Sequence, residues 1–69
     1  MRISARNVIK GRIVQVVKGN TTAHVTLDVG GGTVITASIT NEAVDELRLA
    51  NGETAHAVIK ASDVMIAKD

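Results

Sequence analysis

Two short stretches of this chain carry polar side chains where strand alternation does not ask for them: Ser4-Ala5-Arg6-Asn7 near one end and Lys60-Ala61-Ser62 near the other. Each joins a hydroxyl and a cation to an alanine small enough for the main chain to approach a ligand. Together they offer hydroxyl, amide N–H and cationic donors with few competing acceptors. A compact tetrahedral oxyanion needs that set, because it accepts hydrogen bonds on every side and donates almost none. A dianion met by one full positive charge and several neutral dipoles is bound reversibly. On spacing alone, the same residues also read as ordinary surface charges and turn residues.

The other chemically capable residues lead nowhere so specific. His24 and His56 each fall on the polar side of an alternating segment, without a nucleophile elbow, an HExxH pattern or a paired-histidine spacing, so neither is assigned a catalytic role. Gly30-Gly31-Gly32 lacks the Gly-Lys-Ser/Thr of a phosphate loop and is followed by a strand pattern rather than a helix, which makes it a hairpin turn. Asn20-Thr21-Thr22 matches a glycosylation acceptor, but the opening residues lack the apolar run of a secretory signal.

The elements that must position the two polar stretches are mostly strands. From Thr22 to Val29 the pattern alternates strictly, with Ala23, Val25, Leu27 and Val29 on one face. After the glycines, Ile35, Ala37 and Ile39 alternate with Thr36, Ser38 and Thr40, completing a hairpin. Upstream, Ile9 to Val17 is apolar on both sides, Ile9, Ile13 and Val17 against Val14 and Val16, as expected of a strand covered twice. In so small a protein, the second cover implies a neighbouring subunit. Thr40 or Asn41 can cap a short helix with Glu42 and Asp45 in its first turn and Val44 and Leu47 facing inward. Asn51-Gly52 turns the chain into a fourth alternating segment, Thr54 to Lys60, and Ser62 to Ala67 reads as a last strand with Val64 and Ile66 on one side. The order β-β-β-α-β-β predicts an all-β fold with one short helix, a five-stranded OB-like barrel spanning residues 1–69 as a single domain.

Composition narrows the function. A chain of 69 residues without cysteine has no disulfide or thiolate site to support a small core, and two histidines leave any zinc site to be completed by carboxylates, so no metal site is assigned. Phe, Tyr and Trp are all absent, so Val, Ile, Leu and Ala must fill the core, and oligomerisation is the remaining support. The net charge of +1 gives no broad field for nucleic acid or an anionic membrane. An OB module that binds single strands stacks bases on aromatic rings above a basic groove, and this chain has neither, so the nucleic-acid reading is an alternative of lower standing. No stretch reaches the roughly 18 consecutive apolar residues of a membrane span, and the expected compartment is the cytoplasm.

Taken in order, Ser4-Ala5-Arg6-Asn7, Lys10-Gly11, Gly30-Gly31-Gly32 with Thr36 and Ile39-Thr40, and Ile59-Lys60-Ala61-Ser62 with Val64-Met65 resemble the Mop family of molybdate-binding domains, over nearly the whole chain. The resemblance implies an OB-like barrel, a homo-oligomer of six subunits, and molybdate or tungstate held where subunits meet, with no organic cofactor and no reaction catalysed. Carried over to this sequence, the main site uses Ser4, Ala5, Arg6 and Asn7 of one chain with Lys60, Ala61 and Ser62 of another. A second class of site, near a symmetry axis, would draw on Gly19, Asn20, Thr21 and Thr22. The implied role is buffering and storage of the oxyanion. A regulatory subunit that senses it is the alternative, which would need a partner in trans because neither an ATPase nor a helix-turn-helix segment is present.

Overall fold

The computed structural model describes residues 1–69. Four strands, β1 (Asn7–Lys18), β2 (Thr22–Gly30), β3 (Thr33–Thr40) and β4 (Thr54–Ile59), form one antiparallel sheet in the order β3-β2-β1-β4, with helix α1 (Asn41–Leu47) between β3 and β4. The sheet curls into a half-barrel whose concave side holds the core of Ile13, Ala23, Val25, Leu27 and Val44.

Alternation accounts for β2, where Ala23, Val25 and Leu27 are buried and Thr22, His24 and Asp28 are exposed. In β1 the apolar pattern on two sides has a local cause. Ile13 pairs with Leu27 and Gln15 with Thr26, so Val14 is bulged out and the phase of the strand changes there. Ile13 and Val16 therefore share the core side, while Val8, Val14 and Val17 stay exposed on the outer side. This regroups the faces expected from strict alternation, which set Val16 against Ile13. The glycine turn is as expected: Gly31 and Gly32 have φ of 62° and 81°, the two positive values of a type I′ hairpin turn, and Asp28 Oδ1 accepts the N–H of Gly30 at 2.8 Å.

Thr40 is the N-cap of α1, its Oγ1 accepting the N–H of Ala43 at 3.0 Å, and Val44 inserts into the core. Leu47, expected to face inward, is 66% exposed, because the helix ends there with Arg48 in the left-handed conformation, φ 53°. The following turn docks on the middle of β1. The Gly52 N–H donates to the Ile13 carbonyl at 2.7 Å, and the Ile13 N–H donates to the Glu53 carbonyl at 2.8 Å. Lys18 and Asp45 form an ion pair at 2.6 Å between the end of β1 and α1, with side chains 46% and 66% exposed, worth less than about 1 kcal/mol.

The expected fifth strand is a correction. Ala61–Asp63 forms one 3-10 turn, in which Asp63 N–H donates to the Lys60 carbonyl at 2.9 Å and Val64 N–H to that of Ala61 at 3.3 Å. Beyond it, residues 64–69 join no ladder, and Met65 and Ile66 are 92% and 89% exposed. Alternation reports which side chains could share a face, but a strand exists only where an edge is available to pair with it. With β3 and β4 unpaired along their outer sides, the barrel is open rather than five-stranded and closed.

Gly11 sits where Leu27 of β2 crosses over β1. A Cβ there would lie 2.6 Å from the Asp28 carbonyl oxygen and 2.8 Å from Leu27 Cγ, one of them rigid backbone. Gly11→Ala is therefore expected to destabilise by about 1–3 kcal/mol, outweighing the 0.4–1 kcal/mol or so that loss of unfolded-state freedom would contribute. Urea unfolding at matched protein concentration checks this, and an unchanged or raised midpoint would contradict the close crossing.

Candidate oxyanion site

The site is built on the first pair of the β1–β4 ladder. Asn7 opens β1 opposite Ile59, the last residue of β4, and the Asn7 Nδ2 amide donates to the Ile59 carbonyl at 3.1 Å. Ser4-Ala5-Arg6 therefore leads into the sheet where Lys60-Ala61-Ser62 leaves it. The two stretches, 53 residues apart from Asn7 to Lys60, adjoin at one end of the same chain, whereas the resemblance drew them from different chains.

The donors gathered there are uncommitted. Arg6 and Lys60 are exposed and form no ion pair, the pair between Lys18 and Asp45 being the only one in the chain. The hydroxyls of Ser4 and Ser62 make no hydrogen bond within the chain. The N–H groups of Ala61 and Ser62, at the start of the 3-10 turn, donate to no acceptor either, so they point to whatever lies outside. Ala5 is half-buried and carries no side chain that would obstruct an approach. Asn7 differs from the rest: one of its amide hydrogens is committed to Ile59, which makes it the clip between the stretches. Two cations, two hydroxyls and free amides suit a small polyanion with strong acceptor oxygens.

Gly19, Asn20, Thr21 and Thr22 are elsewhere. They form the β1–β2 turn, separated from Asn7 by the whole of the 12-residue β1, roughly 35 Å of extended chain. The Gly19 N–H donates to the Thr22 carbonyl at 2.7 Å, while the N–H groups of Asn20 and Thr21 have no partner within the chain. Sequence reasoning passed over Asn41 here. Its Nδ2 donates to the Gly19 carbonyl at 3.0 Å and its N–H to that of Thr21 at 2.9 Å, tying the start of α1 to the turn, and its Oδ1 is buried without a partner. An asparagine beside the N-cap threonine was the available signal, and it read only as a rival cap.

A TOBE-domain model matches residues 3–66. The chain is 46% identical over 66 residues to a probable molybdenum-pterin-binding protein of Haemophilus influenzae, covering 96% of each. It belongs to the Mop family of TOBE domains. Its fold superposes with a TM-score of 0.92 on a molybdate-binding protein of Sporomusa ovata, 34% identical, covering 99% of this chain and 100% of that one. It also superposes, with a TM-score of 0.90 and 49% identity, on the cytoplasmic molybdate-binding protein ModG in a crystal form with molybdate bound, covering 94% of this chain and 46% of ModG. In the Mop chain described here, no group of three or more His, Asp or Glu side chains could hold a metal ion, and no helix is long and apolar enough to cross a membrane.

If Asn7 is the clip, Asn7→Ala removes one part-buried hydrogen bond and leaves the Ile59 carbonyl to water. The expected loss of stability is about 0.5–1.5 kcal/mol, with faster amide exchange confined to the first turns of β1 and the end of β4. Denaturant unfolding and hydrogen exchange read by mass spectrometry check both parts.

Proposed function

We propose that this chain binds molybdate, and tungstate as its near equivalent in size and charge, reversibly and without catalysing a reaction, so that it buffers and stores the oxyanion in the cytoplasm. The observation that carries the reading is the Asn7–Ile59 junction, which gathers Ser4, Ala5 and Arg6 beside Lys60, Ala61 and Ser62 with their donors free and their charges unpaired. Molybdate presents four acceptor oxygens and no proton near neutral pH, which matches a set of donors almost without acceptors. Two structural relatives support the same ion, one named a molybdate-binding protein and the other, ModG, with molybdate bound.

The binding form is an oligomer, with six subunits as the reading carried from the family. Only five of 69 residues are buried in the single chain, too few to support it alone, and Val8, Val14, Val17 and Val58 remain exposed on the outer side of β1 and β4. Donors exposed in one subunit become enclosed when another packs over them, and enclosure strengthens each charge-assisted hydrogen bond. The free amides of Asn20 and Thr21 make the far end of the chain a second place for an anion, between symmetry-related copies.

Lys60→Ala should remove one charge-assisted hydrogen bond to the dianion, about 1.5–3 kcal/mol, and so weaken molybdate at least about tenfold. The fold should survive, since Lys60 is exposed and lies beyond the end of β4. Phosphate should compete poorly because it carries protons that meet no acceptor, and sulfate because it is smaller. Isothermal titration of the four anions into wild type and variant checks the site and its selectivity together; equal affinity for phosphate, or undiminished molybdate binding by the variant, would overturn the reading.

A further inference from the structure

At the far end of β1, one residue reaches across to a turn that it does not belong to. Asn41, the first residue of α1, donates its Nδ2 amide to the Gly19 carbonyl at 3.0 Å and its backbone N–H to the Thr21 carbonyl at 2.9 Å. Thr40 caps the helix, so the carboxamide of Asn41 serves the turn rather than α1. This arrangement carries a cost, because Oδ1 is buried with no partner. Turning the carboxamide over would not relieve it. Oδ1 would then face the Gly19 carbonyl oxygen, and that carbonyl would lose its donor.

What the two bonds fix follows from the planar trans peptide unit, in which the C=O and the next N–H point opposite ways. Holding the Gly19 carbonyl toward α1 sends the Asn20 N–H away from it. Holding the Thr21 carbonyl fixes the peptide beyond, so the unit that carries the Thr21 N–H is gripped between two fixed neighbours. The Gly19 N–H closes the turn by donating to the Thr22 carbonyl at 2.7 Å. Neither the Asn20 nor the Thr21 N–H has an acceptor within the chain, and Lys18, the cation next to them in sequence, is paired with Asp45. A dianion met here is held by oriented dipoles, whose worth depends on their aim.

We propose that Asn41 is a positioning residue for the second oxyanion place: it does not touch the anion, and it aims the Asn20 and Thr21 amides at one. The inference rests on the reading of Gly19–Thr22 as that place and goes beyond it by naming the residue that sets its geometry.

The test follows the backbone amides of the full chain, labelled with 15N, as molybdate is added. Asn20 and Thr21 report the turn, and Ala61 and Ser62 report the first site. In wild type, both pairs are expected to shift and saturate. In Asn41→Ala, the amides of Asn20 and Thr21 should need about tenfold more molybdate, as for the loss of one well-aimed hydrogen bond to a charged acceptor, while Ala61 and Ser62 keep their wild-type midpoint. Asn41→Gln, which keeps the donor one methylene further out, should recover part of the loss. A merely structural role would move both midpoints together or neither, and either result overturns the proposal while leaving the second place intact. Wild-type Asn20 and Thr21 amides that ignore molybdate while Ala61 and Ser62 respond remove the second place and the proposal with it; silence at all four sinks the molybdate reading too. Should Asn41→Ala fail to fold, the wild-type Asn41 side chain decides. Its Nδ2 resonance is expected to follow the midpoint of Asn20 and Thr21, and a resonance that stays fixed through saturation overturns the proposal.

Discussion

The ladder on both sides of β1 is the constraint from which the rest of this structure follows. β1 pairs with β2 along its second half and with β4 along its first, so it alone joins the hairpin to the last strand, and Ile13 near its middle is the one side chain wholly withdrawn from water. The backbone of Ile13 also holds the turn that introduces β4, through Gly52 and Glu53. A strand in this position cannot be straight. The bulge at Val14 and the bare Cα of Gly11 allow it to coil tightly beneath Leu27, and the coiling turns four strands into a half-barrel rather than a flat sheet.

The length of β1 sets the functional geometry as well. Its start, clipped by Asn7 to Ile59, collects one group of free donors, and its end carries the Gly19–Thr22 turn, braced by Asn41 and by the Lys18–Asp45 pair. Because the strand is stiff and paired, the two ends cannot meet within a chain. A ligand held at one end of β1 therefore touches nothing at the other end of the same chain.

Much of this was legible in the residues themselves. Strict alternation located β2, β3 and β4, three glycines located the hairpin, and the Thr40 cap located α1, since each is a local pattern with a local cause. The bulge was not legible: Val14 looks like any other valine in an apolar run, and only the register of the neighbouring strand shows that it is skipped. Leu47 had the right helical spacing to face inward, but the helix stops before anything packs on it. The donors at Ser4–Asn7 and Lys60–Ser62 could be picked out as residues without an assigned place in the strands. Their adjacency within one chain could not, because it rests on a ladder pairing between residues 52 apart. The last segment, Ser62–Ala67, was read as a strand and is not one, because side-chain pattern does not specify a partner.

That same segment begins where the site ends. Lys60-Ala61-Ser62 follows directly on Ile59, the last residue of β4, so the loop that offers donors to an anion starts where the ladder stops. In the 3-10 turn the hydrogen bonds run from the Asp63 N–H to the Lys60 carbonyl and from the Val64 N–H to that of Ala61, which leaves the N–H groups of Ala61 and Ser62 over. Those two donors are therefore free because of backbone geometry and not because of the side chains beside them. A β4 longer by two residues would keep Lys60, Ala61 and Ser62 in the sequence and still alter the site, because a strand presents its amides to the sheet plane rather than together at one end. The chemistry of the loop depends on where the ladder with β1 stops as much as on which residues follow it.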